Sequence, residues 1–308
     1  MTVVEPSLAK VIAAHRTCEF TTLARDGTPL TWPTAVWFRP DGTFLVTTSL
    51  GFPQKALNVR RDGRVALLFS DPTGSGLTDP PQVLVTGTAA CPDEIVTSPE
   101  GIEPYWATMF ERQPDSRSYL RASARWLTDW YYLRLLITVT PSSIRSMAAH
   151  PAAAEAAPAG TSAAAGRILG SELLAEFPSA VLGARDVDGA PILSRTRPVP
   201  RAGGYSLDVP TDAKIAPGPA SLLVHRHDDR LGNLRNALVK GDLVRDDGGW
   251  LLVPQRVVEP SPGNGARAVL RTLRATRRST RSYLARRGLA RPRVQWDQFQ
   301  NIVDSRPS

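Results

Sequence analysis

Two stretches of this 308-residue chain carry the same order of strands and turns. Residues 21–49, TTLARDGTPLTWPTAVWFRPDGTFLVTTS, are echoed from Ala180 onward by AVLGARDVDGAPILSRTRPVPRAGGYSLDVPT. Each reads as a strand, an Asp-Gly turn, a proline-containing strand, a glycine turn and a further strand. The echo continues, because RVALLFSD matches ASLLVHRHD and VLVTGTAACPD matches ALVKGDLVRDD, before residues 249–258 supply a last strand. A tandem copy of one antiparallel unit follows. The expectation is two antiparallel β-barrels, at about residues 17–144 and 179–258, with helices covering the barrel ends. The alanine- and proline-rich segment 148–166 between them reads as a linker. The corresponding domain limits are 1–147, 167–260 and an arginine-rich helix and tail over 261–308.

Residues 43–69, TFLVTTSLGFPQKALNVRRDGRVALLF, set the first copy apart. Phe44 to Thr48 alternates as a half-buried strand does, and Val65 to Phe69 is a short apolar run. Thr47, Thr48 and Ser49 crowd hydroxyls at a strand end, Pro53 opens a helix over 54–61, and Lys55 stands in its first turn. Unpaired N–H groups at a helix start favour an anion, so this stretch suits a phosphate, with Lys55 as the point charge. The second copy has only PTDAKIAPGP at the matching place, with a lone Lys214 and three prolines. No phosphate site is expected there.

TTS, KALNV and DGRVALLF resemble the core of the pyridoxamine 5′-phosphate oxidase-like split-barrel flavoproteins, whose usual pattern is a strand, a Thr/Ser pair, K-A-x-N-L and D-P-R-V-A-L. Gly63 replaces the usual proline. The V-x-G-T-A run at Gly87 and WLTDWYYLRLLITVTPSSI (126–144), similar to the terminal Y-x-R-L-x-I-x-V-T-P strand, extend the resemblance to about residues 20–144. It implies a mainly β fold with peripheral helices: tandem split β-barrels of the FMN-binding type. It also implies a cofactor in the groove between barrels, its phosphate held by the Thr47 to Lys55 region (Thr47, Thr48, Ser49 and Lys55) and its ring near Trp32 and Thr34, with Asn58 a further cofactor-binding residue. FMN is the first expectation, a deazaflavin the alternative and haem the third. The implied activity is a flavin- or deazaflavin-dependent oxidoreductase moving a hydride to or from a small molecule; the alternative is a non-catalytic flavin- or haem-binding barrel. Either the fused second copy takes the partner's place, giving an intramolecular pseudo-dimer, or two first barrels pair across a homodimer. TWPTAVWF lacks the basic residues of true pyridoxamine phosphate oxidases, and their closing tryptophan-arginine motif is not evident.

Other chemistries find little support. There is no Ser-His-Asp order, no H-E-x-x-H and no pair of carboxylates flanking an obvious cleft, and Gly74-Ser75-Gly76 lacks the helix of a dinucleotide fingerprint. No catalytic residue is assigned, which suits chemistry carried by a cofactor. Cys18 and Cys91 form no C-x-x-C pair, and no metal site is expected; His225 and His227 would share a strand face as a turn-proximal polar pair. The N-terminus lacks a signal-peptide pattern and the apolar run 130–139 is short and interrupted by Arg134, so a cytoplasmic chain without a membrane span is expected. Residues 100–127 read as helical, their aromatics as packing. The net charge of +8 sits in one arm, since residues 267–293 hold ten arginines and no acid. Without a nucleic-acid-binding signature it does not imply a specific nucleic-acid partner. Val269, Leu270, Leu273, Thr276, Thr280 and Leu284 recur at helical spacing, predicting a docked helix that is basic outside.

Overall fold

The computed structural model describes residues 4–149, 168–210, 214–246, 249–259 and 266–305. Residues 150–166 of the expected linker lie outside these. In chain order the first half has α1 (Pro6–Ala14), β1 (Cys18–Leu23), β2 (Pro29–Thr34), β3 (Val36–Phe38), β4 (Phe44–Ser49), α2 (Gln54–Arg61), β5 (Arg64–Phe69) and β6 (Gln82–Ala90). It continues with α3 (Glu103–Arg112), α4 (Arg125–Tyr132) and β7 (Arg134–Met147). The second half has α5 (Ser171–Ala175), β8 (Ala180–Asp186), β9 (Pro191–Thr196), β10 (Val199–Arg201), β11 (Gly204–Leu207), β12 (Ile215–Arg226), β13 (Arg235–Asp246) and β14 (Gly249–Val258). Two helices follow, α6 (Ala266–Ala285) and α7 (Trp296–Asp304).

The strands form two seven-stranded antiparallel sheets of identical topology. The first runs β2-β1-β5-β6-β7-β4-β3, and the second, read in the matching direction, runs β9-β8-β12-β13-β14-β11-β10. Every strand of the second copy therefore stands where its counterpart stands in the first, as the repeat predicts. Even the irregularities match. The β6–β7 register shifts at Thr86/Gly87, and the β13–β14 register shifts at Lys240/Gly241. The copies differ in what is inserted. The first places α2 between β4 and β5 and helical structure between β6 and β7; no helix among the described residues occupies either place in the second.

β5 shows why its sequence is apolar throughout. Val65, Leu67 and Phe69 belong to the core of the first barrel, while Ala66 and Leu68 point the other way into the core of the second. A strand covered on both faces has no polar side to alternate with. Where the barrels meet, Ser221 Oγ donates to the Pro29 carbonyl at 2.7 Å, and a Cβ on Gly183 would stand 2.8 Å from Thr31 Oγ1.

Three expectations are corrected. The proline-containing strand expected after the first Asp-Gly turn, Leu30 to Phe38, breaks at Ala35, because β2 pairs with β1 whereas β3 pairs with β4. The helix read over 100–127 is α3, a 3-10 segment Pro114–Leu120 and then α4, with Pro114 interrupting the ladder. The segment 126–144 is helical to Tyr132 and becomes a strand only at Arg134. The arginine-rich arm does dock: Tyr283, Leu284, Val294 and Phe299 are buried in the first core. Val269 and Leu270, expected on its inner stripe, are exposed.

Candidate functional site

A cleft of about 750 Å³ opens beside the first turn of α2. β4 ends at it with Thr47, Thr48 and Ser49, and α2 enters it with Lys55. Trp32, Phe52, Trp130 and Tyr131 make an aromatic wall. The facing wall is α6 and the turn after it, through Ser279, Ser282, Tyr283, Arg286 and Arg287, and the second barrel reaches the rim with Leu234 and Asn236. Among the described lining residues are four cations and no aspartate, glutamate, histidine or cysteine.

Local structure explains each placement. Ala56 and Val59 bury the inner face of α2. Asn58, fully buried, donates to Thr22 Oγ1 at 2.9 Å and accepts from Gln54 and Arg61, so it pins α2 to β1 beneath the cleft and does not line it. Lys55 is thereby aimed inward, where Nζ donates to Thr34 Oγ1 at 3.0 Å and lies 5.9 Å from the Trp32 ring. Thr34 thus supports Lys55 from below. The hydroxyls are divided. Thr47 Oγ1 meets the Tyr105 hydroxyl at 2.9 Å, and Thr48 Oγ1 donates to the Phe52 carbonyl at 2.6 Å, holding the turn into α2. Ser49 is the hydroxyl of the three that makes no side-chain hydrogen bond among the described residues.

Arg134 is the second cation at the floor; in the sequence it interrupts an apolar run and stands at the arginine of the Y-x-R-L pattern, with no site role expected of it. Its guanidinium lies over Tyr131 at 4.2 Å and over Trp106 at 5.1 Å. The side chain is buried, its Nε has no hydrogen-bond partner, and no carboxylate pairs with it among the described residues. Burial, with repulsion from Arg134 added to it, pushes the Lys55 ammonium down to about 8. Two cations share the cleft floor with no carboxylate among the described lining residues, an arrangement that is costly until an anion fills it. A lone arginine opening an apolar strand was the available signal.

The α6 wall is fixed by a ladder of contacts. Arg60 of α2 donates to the Tyr283 hydroxyl at 2.9 Å and pairs with Asp93 at 2.8 Å; Asp93 also pairs with Arg287 at 2.9 Å. Arg291 pairs through two nitrogens with Asp129 of α4.

The repeat gives this cleft a counterpart. Strand registers match Pro33 to Arg195 and Asn236 to Gln82, and both Arg195 and Gln82 line a smaller cavity of about 180 Å³. A polar network occupies its neighbourhood. Glu19, fully buried, accepts from Arg195 at 2.8 Å, Ser70 at 2.9 Å and His225 at 2.9 Å. Burial alone would raise the Glu19 carboxyl; the His225 hydrogen bond and the Arg195 charge outweigh it and hold the group below its usual value. His227 stacks on His225, with Nε2 near Thr17 and Asp71. No three side chains among the described residues are arranged to hold a metal ion.

Residues 4–131 match the family model described as pyridoxamine 5′-phosphate oxidase. No curated protein matches the chain. Among solved structures, a pyridoxamine 5′-phosphate oxidase-type protein of Listeria innocua is 17% identical, with 46% of this chain and 94% of that one aligned and a TM-score of 0.30. An F420 reductase is 18% identical over 46% of this chain and 98% of that one, with a TM-score of 0.29. A haem storage protein of Vibrio cholerae is 14% identical over 46% and 93%, with a TM-score of 0.30. Residues 4–131 thus match the pyridoxamine 5′-phosphate oxidase family model, β7 completes the barrel they form, and a second barrel of the same strand order is joined to it.

Proposed function

We propose that the cleft binds a phosphate-bearing flavin or deazaflavin and that the protein is an oxidoreductase acting on a small molecule. The observation that carries this reading is the pair of half-buried Lys55 and buried Arg134 in an aromatic cleft whose described lining has no carboxylate. An anion bearing a planar ring suits both halves of that lining, the cations taking the phosphate and Trp32 flanking the ring. When bound, the cofactor supplies the hydride chemistry. The chain's residues bind and orient it: Ser49 and the first turn of α2 add hydrogen bonds to the phosphate, Thr34 keeps Lys55 in place, and α6 with Leu234 and Asn236 shields the site from water. One site per chain follows, because no helix among the described residues stands at the place of α2 in the second barrel and its cavity adjoins the Glu19 network. The intramolecular barrel pair is the working unit in this reading. For haem the described lining provides no histidine, cysteine or methionine ligand, its candidate axial groups being the tyrosines Tyr119, Tyr131 and Tyr283.

The test is the absorption spectrum of the purified full chain, followed by titration with FMN and with a deazaflavin. One equivalent of one of them per chain, bound at least tenfold more weakly by Arg134→Gln, is expected. Affinity for both that is unchanged in Arg134→Gln and Lys55→Met, or a haem spectrum, would overturn the reading.

A further inference from the structure

α6 has a second face that the cleft does not use. Thr276, Thr280, Tyr283 and Leu284 bury its inner side, and Ser279, Ser282, Tyr283 and Arg286 turn one flank to the cleft. At roughly 100° per residue, Arg271, Arg274, Arg278 and Arg281 fall within about 80° of one another on the outward side, spread along about 15 Å. All four are exposed, and none is paired with a carboxylate among the described residues. The charge of the stripe is not offset nearby in sequence, since residues 267–293 contain ten arginines and no acid. Without those ten the chain has 27 basic against 29 acidic residues. The excess charge of the whole molecule is therefore gathered on this arm.

Apolar groups flank the stripe. Leu270, 47% exposed, lies beside it on the flank away from the cleft, and Val269, 58% exposed, precedes it in the first turns of the helix. Trp126 of α4 is 64% exposed, with the Arg277 guanidinium 5.2 Å from its ring, on the same flank as Leu270. An exposed tryptophan and leucine beside a row of arginines, on a helix whose other face is packed from Thr276 onward, is the composition that lies in a membrane interface. A solvated arginine face needs no exposed tryptophan beside it.

We propose that the outward face of α6 docks on an anionic lipid bilayer, the arginines meeting headgroup charge and Trp126 and Leu270 entering the interface. No helix among the described residues is long and apolar enough to cross a membrane, so the contact is peripheral. The cleft then lies along the flank of the docked helix, its mouth beside the lipid surface. This inference does not depend on which ligand fills the cleft.

The experiment is co-flotation of the full chain with vesicles of phosphatidylcholine alone and of phosphatidylcholine with phosphatidylglycerol, at low and high salt. Binding to the anionic vesicles only, weakening as salt rises, is expected. Each arginine near such a surface contributes about fivefold, so changing Arg271, Arg274, Arg278 and Arg281 together to glutamine lowers partitioning by a few hundredfold. Trp126→Ser with Leu270→Ser lowers it even at the salt concentration where the charge effect is screened. Thermal melts of both variants, matching the parent, show that the change lies in the surface and not in folding. Equal binding to both kinds of vesicle, no binding to either, or an unchanged quadruple variant overturns the proposal. Tight binding of a 20-base-pair duplex DNA without vesicle binding overturns it in favour of a nucleic-acid surface.

Discussion

Thr276 of α6 lies directly over Gly51, where a Cβ would stand 2.9 Å from the threonine Cβ and 2.7 Å from the Trp130 ring. The chain can pass between β4 and α2 at this point only with a hydrogen as side chain. Gly51→Ala therefore pushes on α6 and on Trp130 together. A stability loss of about 1 to 3 kcal/mol is expected, as for an overpacked core. Faster amide exchange along residues 276–287 than elsewhere would locate the damage; uniform exchange would show that the contact does not hold the helix.

Lys55→Met should act in opposite directions on stability and on binding. The folded protein holds Lys55 at about 8 against an ordinary 10.5, so at neutral pH folding works against its burial. Between those values the unfolded chain binds the extra proton, and stability of the parent rises with pH across that window. The ligand-free variant should be more stable at pH 7 by about 1 to 3 kcal/mol, lack the rise between pH 8 and 10.5, and bind FMN or a deazaflavin roughly ten- to hundredfold more weakly. Denaturant titrations across that pH range, paired with ligand titrations, check both halves.

Glu19→Gln removes the anion that Arg195 and His225 share at the barrel junction. Breaking a buried ion pair from one side costs about 3 to 5 kcal/mol. The Glu19 carboxyl is held below its unfolded value, so its contribution is complete above the usual carboxylate range and is lost as pH falls through the lower folded value. The parent should lose stability on acidification through that window, and the variant should show a shallower slope in denaturant midpoints measured from pH 7 to 3.

Gly87 and Gly241 should respond alike. A Cβ on Gly87 would stand 2.2 Å from the Thr140 carbonyl oxygen, and one on Gly241 would stand 2.1 Å from that of Val253. Either alanine variant should lose about 2 kcal/mol or more in a thermal or denaturant melt, because a backbone oxygen cannot move aside as a flexible side chain can. A mild effect at one glycine and a severe one at the other would mean that the two bulges are not equivalent.

Much of the architecture was legible because repetition is a long-range signal. The Asp-Gly turns at Asp26 and Asp188 and the matched glycines at 87 and 241 report a shared register without any knowledge of contacts. The α2 segment was legible for a local reason, its proline start and its polar surroundings. The cleft was only half visible. Trp32, Thr47, Thr48, Ser49 and Lys55 reach it from β2 and the β4–α2 segment, but Arg134, Leu234 and Tyr283 come from segments 80 to 230 residues further along the chain, and no periodicity in a sequence states that they meet. The double duty of β5 escaped for a related reason: an apolar run looks the same whether one core or two receives it.

The duplication also changes how the two barrels can vary. When identical subunits pair, each substitution is present in both, and a change that suits one binding groove is imposed on the other. Here Pro33 and Arg195, or Asn236 and Gln82, hold equivalent places yet are inherited independently. One half has kept an opening lined by cations, while beside the equivalent cavity Arg195 and His225 of the other half converge on Glu19 of the first. A single polypeptide can assign ligand capture to one barrel and buttressing to the other, a division of labour closed to a pair of identical chains.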